Sequence, residues 1–425
     1  MQICDPKECT GCGACAAACP KDAITMRPDK LGFPYPEIDS DKCVSCHLCQ
    51  KVCHIASPQP RQEPAQKIYA GWNNNADIRQ DSTSGGAFTA LAEAVLEEDG
   101  VVAGAAYDED MNVRHIMVRS EDKLGQLRGS KYVQSDLTDM FNQVKGLLQE
   151  GRTVLFTGTS CQVGAIKKFL GRSSYEGKLY TMDIVCHGVG APAVFHAYLK
   201  HLEQLGQSKL QTFRFRSKQF SWRTPSVQAS FDNDAVYTKI GLIDPIFVGF
   251  NRDVYLRESC YRCPYTSMER VSDLTISDFW GYRGTAEYPD DDRGVSMLMV
   301  NSDRGRELVQ KLGEKMTLVE QTAEDAKRGQ PCLSSPTRRP DQRTEFEQKF
   351  SGTFDSIEYK FIEPWWNFSS LFFYRGTHSR EKTRRGSIRK LFRVTDGLTL
   401  RLKLRKQFNK MAFSKYEKNS GIQTK

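Results

Sequence analysis

No stretch of the 425-residue chain approaches the ~18 to 20 consecutive apolar side chains that a membrane-spanning helix requires. The first residues lack the basic-then-apolar pattern of a secretion signal and already belong to a motif, so the chain is expected to stay in the cytoplasm. A disulfide scaffold is also excluded. Nine of the 14 cysteines fall within the first 53 residues, at the spacing of metal ligands, and in a reducing compartment that pattern means metal. No side-chain general acid or base stands out. Apolar content is ordinary for a globular protein, so sizeable cores can form, and the length suits two or three domains. The net charge of +8 is unevenly placed: from Arg375 onward 16 Lys and Arg face only Glu381, Asp396 and Glu417. The body is therefore mildly acidic and the tail strongly basic.

Cys9, Cys12, Cys15 and Cys19 follow C-x2-C-x2-C-x3-C with Pro20 next, and Cys43, Cys46, Cys49 and Cys53 repeat the spacing. A tight loop can point three thiolates at three irons of one cubane, while the fourth cysteine, on the helix that follows, reaches the other cluster. Cys9, Cys12, Cys15 and Cys53 are thus assigned to one 4Fe–4S cluster, and Cys43, Cys46, Cys49 and Cys19 to a second. Gly11, Gly13 and Ala14 let backbone N–H groups approach the cluster sulfurs. A pair of zinc sites is the rival, but zinc wants its four ligands in closer local pairs. Over residues 1–56 the chain resembles the bacterial two-cluster ferredoxins. His54 departs from them, standing where proline usually follows the last cysteine, and is expected to alter a turn and not ligation. Cys4 fills a slot that Ile38 fills in the second copy and reads as a structural thiol. Residues 57–66, with Pro58, Pro60 and Pro64, read as a semi-rigid linker.

Further on, Ser82-Thr83-Ser84-Gly85-Gly86 precedes apolar residues at helical spacing, Ala87 to Leu96. Such a turn suits a phosphate, although an ordinary N-cap with a glycine hinge is the plainer reading. Thr153–Thr157 reads as a buried strand that turns through Gly158-Thr159-Ser160-Cys161-Gln162 into a helix. Leu179–Val185 is the next strand, ending at Cys186-His187-Gly188 ahead of a helix from about Val194. This β-α-β-α order favours parallel strands with both C-termini on one sheet edge, where ligands bind. Cys161 and Cys186 should therefore be neighbours. With Cys260 and Cys263 they make four, the count a third 4Fe–4S cluster needs; zinc on the same residues and unliganded cysteines are the rivals. Cys332 stands alone. Thr212–Lys218 alternates Phe213 and Phe215 against Arg214, Arg216 and Lys218, a half-buried strand whose cationic face is most simply a solvated one. Asp278-Phe279-Trp280-Gly281 suits either a ring system or a core corner.

Several phrases together carry a wider resemblance: Ser84-Gly85-Gly86, Gly129-Ser130-Lys131-Tyr132-Val133, Gly158-Thr159-Ser160-Cys161-Gln162, Cys186-His187-Gly188, Cys260-x2-Cys263 and Ser277-Asp278-Phe279-Trp280-Gly281. In this order, over about residues 67–300, they resemble the beta subunits of hydrogenases and dehydrogenases that use the deazaflavin coenzyme F420; hydroxymethyl-chlorophyll reductases look like relatives. The resemblance implies an FAD beside a cubane cluster, with electrons passing singly to the flavin. It implies that Ser84, Gly85 and Gly86 hold FAD phosphates and that Lys131 and Tyr132 lie near the flavin. It further implies that Gly158, Thr159, Ser160 and Gln162 shape the turn beside both groups, and that Cys161, Cys186, Cys260 and Cys263 ligate the cluster. Ser160 stands where the family usually has proline.

The expected architecture is an α+β ferredoxin-like domain (1–56), a linker (57–66), an α/β flavin- and cluster-binding body in two parts (67–148 and 149–374) and a basic, helical tail (375–425). The expected function is an iron–sulfur flavoprotein oxidoreductase linking a donor such as ferredoxin, or another redox partner protein, to a small-molecule acceptor. The alternative is a non-catalytic electron-transfer subunit. Arg384, Arg385, Arg389, Lys390, Arg401, Lys403, Arg405 and Lys406, interleaved with leucines and Phe392, would suit peripheral contact with an anionic membrane face. Nucleic acid is the less favoured partner, and a solvated or disordered tail is the plainer reading. Trp365, Trp366, Phe372 and Phe373 are expected to pack the last segment of the body.

Overall fold

The computed structural model describes residues 2–362 except 59, 62, 66, 172–176 and 358. The basic tail and the aromatic pairs Trp365-Trp366 and Phe372-Phe373 lie outside the described residues. The N-terminal segment comprises α1 (Ala14–Ala17), β1 (Ile24–Pro28), β2 (Pro34–Ile38) and α2 (Leu48–Lys51). Its two strands pair antiparallel, with Ile24 opposite Ile38. Both helices follow cysteine loops through a left-handed residue, Gly13 or His47.

The body continues with β3 (Lys67–Asn73), α3 (Ala76–Asp81), α4 (Ala87–Leu96), β4 (Val101–Tyr107), β5 (Val113–Val118), α5 (Met140–Gln149), β6 (Val154–Thr159), α6 (Ser160–Leu170), β7 (Leu179–Ile184) and α7 (Pro192–Gly206). There follow β8 (Leu210–Ser217), β9 (Ser226–Phe231), β10 (Val236–Ile240), α8 (Pro245–Asn251), β11 (Leu274–Asp278), β12 (Ser296–Val300) and β13 (Met316–Gln321). An eight-stranded sheet runs in the order β13-β3-β12-β11-β7-β6-β4-β5. Its four central strands, β11, β7, β6 and β4, are parallel. The flanking strands β12, β3, β13 and β5 are antiparallel. The β-α-β-α reading of the sequence thus holds for the centre, while the body as a whole is mixed. Side chains Val154 to Thr157 are all buried, as a strand covered on both faces requires.

In the β6–β7 pairing Thr159 lies opposite Ile184, so both strands end at one edge. There α6 begins at once, held by a capping box in which the Thr159 hydroxyl meets the Gln162 backbone and the Gln162 side chain meets the Thr159 backbone. Beneath this edge Asp183 and Arg270 form a fully buried ion pair, Oδ2 to Nη2 at 2.7 Å. Asp183 Oδ1 also accepts from Ser272 Oγ at 2.8 Å and Thr275 Oγ1 at 2.6 Å.

The strand Leu210–Ser217 belongs to a separate three-stranded antiparallel sheet with β9 and β10. Phe213 and Phe215 are buried as expected. On the opposite face Arg214 is exposed, as the solvated reading expects, while Arg216 and Lys218 are buried and correct it. Arg214 pairs with Asp81, Arg216 Nη1 reaches Asp278 at 3.0 Å with its side chain almost wholly buried, and buried Lys218 donates to the carbonyls of Arg79, Arg293 and Ser84. Asp278 also accepts from Trp222 Nε1 at 2.6 Å. Trp280 stacks on Trp222 at 4.9 Å with 5° between planes.

The N-terminal segment is built into the body. Leu31 and Phe33, at the tip of the β1–β2 hairpin, are buried in the core formed around α7 and the small sheet. Ala14 is buried in the core under α5 and α6. Burying Leu31 and Phe33 removes from water two side chains worth ~1.5–3 kcal/mol each.

Two outcomes follow for stability. Replacing Asp183 by Ala leaves Arg270 buried without its counter-charge, which costs ~3–5 kcal/mol; the thermal midpoint should fall by about 3–6 °C in a calorimetric scan. Buried His115, whose Nε2 donates to Thr157 O at 2.9 Å, is held by burial at a pKa of about 4, below the unfolded value of ~6.5. The unfolded chain therefore takes up a proton that the folded chain refuses. Stability present above pH ~6.5 is lost as pH falls toward 4. Unfolding midpoints measured between pH 7 and 5 should show the advantage of wild type over His115→Gln narrowing.

Candidate metal and cofactor centres

The first foursome gathers where the α1 loop meets the end of α2. Cys9 and Cys53 each contact the Cys4 thiol, which holds their own thiols down at about 6. Cys12 is pushed up to about 12, first by burial and then by the charges of Cys9 and Cys53. Cys15 is raised by burial and by Cys12, Cys9 and Cys53. Cys53 therefore joins the loop cysteines of the other repeat. Cys19, Cys43, Cys46 and Cys49 line one hollow together with Pro20, Val44 and Leu48. Cys49 is raised by burial and then by Cys46 and Cys19. Around this hollow Val44 and Leu48 are 59% and 38% exposed, and Cys46 is exposed.

The third foursome lies at the sheet edge. Cys186 is raised well above its ordinary value by burial and then by Cys260, Cys161 and Cys263. Cys260 and Cys263 are each pushed up to about 12 by burial, and each also senses Cys161. Cys161, at the first turn of α6, contacts Thr159 Oγ1 at 3.1 Å. Val189 N donates to Cys260 Sγ at 3.5 Å. The parallel strands have thus made neighbours of Cys161 and Cys186, as the spacing predicted.

Four thiols that burial and mutual repulsion keep protonated will ionise only for a strongly cationic partner. Among the described residues no three His, Cys, Asp or Glu side chains converge as one lone ion requires. A single zinc with Zn–S near ~2.3 Å would draw its sulfurs to a point.

Tyr265 stands between the first and third foursomes. Burial raises its phenol first, followed by the charges of Cys161, Cys263 and Cys12. His54 Nδ1 hydrogen-bonds Tyr265 Oη at 2.6 Å, and His54 Nε2 hydrogen-bonds Thr10 Oγ1 at 2.9 Å. The imidazole is buried, which depresses it to about 4. His54 thus does more than alter a turn: it ties the cysteine loop to the body. Cys332, unassigned by sequence, is buried beside His187. His187 Nε2 also meets Asp253 Oδ1 at 2.5 Å.

The residues tied by resemblance to FAD divide into two groups. Ser84 Oγ donates to Val295 O at 2.7 Å, and Gly85 N donates to Ser296 Oγ at 2.9 Å. A Cβ on Gly85 would stand 2.3 Å from Gly71 O, so this glycine has a packing reason of its own. Gly86 is left-handed and opens α4. Gly158, Thr159, Ser160 and Gln162 form the capped turn; Gln162 Nε2 donates to Ser135 Oγ at 2.7 Å, and Ser160 Oγ accepts from Arg270 Nη2 at 2.6 Å.

Around Tyr132 the polar groups are less fully matched. Lys131 Nζ reaches three carbonyls only at 3.2 to 3.4 Å. Burial, then Arg214, lowers its pKa to about 8. Arg216 Nη1 donates to Tyr132 Oη at 3.2 Å, while buried Arg216 Nε has no hydrogen-bond partner among the described residues. Lys131 thus stands beside the Tyr132 ring with only carbonyl partners, while Arg216 is paired with Asp278.

Comparison with known proteins agrees with this geometry. The 4Fe-4S dicluster domain matches residues 8–56. The coenzyme F420 hydrogenase/dehydrogenase beta subunit matches with its N-terminal part over 68–142 and its C-terminal part over 151–326, together more than half of the chain. One component of the F(420)H(2) dehydrogenase of Methanosarcina mazei is 18% identical over 327 residues, covering 73% of this chain and 84% of that protein. One component of the H(2):CoB-CoM heterodisulfide,ferredoxin reductase of Methanothermobacter marburgensis is 32% identical over 75 residues, 15% of this chain and only 11% of that protein. A polypeptide of the F420-reducing [NiFe] hydrogenase complex of Methanosarcina barkeri superposes with a TM-score of 0.43 at 18% identity, covering 68% of this chain and 94% of that one.

The crossed ligation can be read directly. Cys19→Ala should cost the cluster of Cys43, Cys46 and Cys49, and Cys53→Ala that of Cys9, Cys12 and Cys15, each lowering anaerobic iron content by about four per chain. EPR spectra of the two reduced variants should each lack a different cubane signal. Loss of the same signal in both would mean that the repeats do not exchange ligands.

Proposed function

The chain belongs to the family of coenzyme F420 hydrogenase/dehydrogenase beta subunits, with a 4Fe-4S dicluster domain at its N-terminal end, and we propose that it is an iron–sulfur flavoprotein oxidoreductase. In this reading electrons travel singly between a partner protein such as ferredoxin and an organic acceptor, deazaflavin coenzyme F420 or another small molecule, in either direction. Clusters and FAD, when bound, supply one-electron relay and its conversion to two-electron hydride chemistry. The observation that carries the reading is Tyr265, which feels Cys12 on one side and Cys161 and Cys263 on the other. Two foursomes thus face each other across one side chain.

The residues divide the work. Cys19, Cys43, Cys46 and Cys49 lie at the exposed end, where Val44 and Leu48 offer an apolar rim to a redox partner. Cys9, Cys12, Cys15 and Cys53 hold the inner position. Cys161, Cys186, Cys260 and Cys263 lie on the body side of Tyr265, at the same sheet edge as the turn Gly158–Gln162. Lys131 provides positive charge for an anionic cofactor, and Arg216, paired with Asp278, positions Tyr132. Phe247 and Phe250, packed on Tyr132 at 5.7 and 4.6 Å between ring centres, keep water from that side. In the alternative, a purely electron-transferring component has the same relay without turnover of its own.

Protein purified without oxygen should contain about 12 iron and one FAD per chain, and should reduce a dye or deazaflavin from reduced ferredoxin. About 8 iron would remove the third cluster, absence of flavin would overturn the flavoprotein reading, and full cofactor content without turnover would leave the purely electron-transferring role.

A further inference from the structure

Among the described residues the other buried arginines come with carboxylates, and Arg257, at the junction, does not. Arg79 meets Asp291 at 2.7 Å, Arg216 meets Asp278 at 3.0 Å, Arg270 meets Asp183 at 2.7 Å and Arg343 meets Glu347 at 3.0 Å. Arg257 is only 1% exposed, yet among the described residues no carboxylate pairs with it. Its guanidinium donates to three neutral oxygens instead: Nε to Cys9 O at 2.7 Å, Nη1 to Gln134 Oε1 at 2.9 Å and Nη2 to Pro34 O at 2.9 Å. It lies 4.3 Å over the Tyr35 ring. Gly11, left-handed at φ +65°, has no room for a Cβ, which would stand 2.6 Å from Arg257 Nη1 and 2.7 Å from Gln134 Nε2 and Pro34 O.

A buried cation without a counter-charge is costly, and hydrogen bonds to carbonyls offset only part of that cost. The counter-charge has to come from close by, and the thiol foursomes lie on both sides. Cys9 offers its carbonyl to the guanidinium. Cys260 is three residues along the chain, and Arg257 N is bonded to Val189 O at 3.0 Å while Val189 N reaches Cys260 Sγ. The Arg257 charge favours the thiolate at Cys9, Cys161 and Cys260 alike. A cubane on four thiolates is a net anion, and one added electron makes it more so, so a fixed cation beside it stabilises the reduced state more than the oxidised state.

We propose that Arg257 is the positioning and potential-setting residue of the junction: its unpaired charge, held against Cys9, raises the reduction potential of the Cys9–Cys12–Cys15–Cys53 cluster and keeps that cluster seated against the Cys161–Cys186–Cys260–Cys263 centre. This rests on the cluster assignment above. The charge, and not merely the shape, of the side chain carries the role, which separates it from an ordinary packing arginine.

The test compares full-length Arg257→Gln and Arg257→Lys with wild type by anaerobic iron analysis and EPR-monitored redox titration. With iron retained, Arg257→Gln should lower the reduction equilibrium of one cubane about tenfold, a shift of about 59 mV downward for a one-electron couple. Arg257→Lys, which keeps the charge but not the fork, should shift it by less than half as much. If Arg257→Gln loses iron, retention by Arg257→Lys supports the charge. An unmoved potential in Arg257→Gln, equal shifts in both variants, or equal iron loss in both would overturn the proposal. Wild type lacking the clusters would sink the earlier assignment instead.

Discussion

The thiols of Cys161, Cys186, Cys260 and Cys263 resist ionisation, because burial favours the proton. The molecule is organised around this constraint. Each foursome must be assembled by the fold before a cation can repay the crowding, and each is assembled from distant parts of the chain. Cys53 lies with Cys9, Cys12 and Cys15, and Cys19 with Cys43, Cys46 and Cys49, so each set takes its fourth thiol from the other repeat. The third set needs the parallel pairing of β6 with β7 to bring Cys161 to Cys186, and the buried Asp183–Arg270 pair to hold that edge.

The same constraint explains why the N-terminal segment is welded to the body and not merely tethered by it. Electron transfer through a relay depends steeply on separation and orientation, so a wandering domain would make a poor neighbour. Leu31 and Phe33 sunk in the body core, the Thr10–His54–Tyr265 chain and the Arg257 fork fix that separation. Three unrelated interactions, apolar, neutral polar and cationic, thus serve one geometry. The exposed foursome, rimmed by Val44 and Leu48, is left facing outward, which gives the relay an outer and an inner end.

Residues with a ligand's spacing were the most legible part of the chain. The grouping of the N-terminal cysteines, the strands at Val154 and Leu179, and the gathering of Cys161, Cys186, Cys260 and Cys263 could be read ahead of the fold, because cysteine spacing and hydrophobic periodicity are local signals. Charged residues were the least legible. Arg216 and Lys218 look like a solvated face in a period-two pattern; burial came from the Asp278 turn and from the loop at Ser84, which no local pattern announces. Arg257 sits in no motif at all. Its only sequence signal is retrospective: Gly11, whose missing side chain leaves room for Arg257, Gln134 and Pro34 alike. His54 was noticed as a departure, but its partner lies 211 positions away.

By itself the sequence determined how the cysteines are grouped and which segments would be strands or helices, since these follow from short-range spacing and burial period. Only the tertiary structure decided that the central parallel strands are bordered by antiparallel ones, that a histidine and a tyrosine span the junction, and that one arginine is buried there without a carboxylate. Those outcomes depend on which distant surfaces meet and on how much water their meeting excludes, and desolvation is a property of the assembled fold that no stretch of chain carries alone.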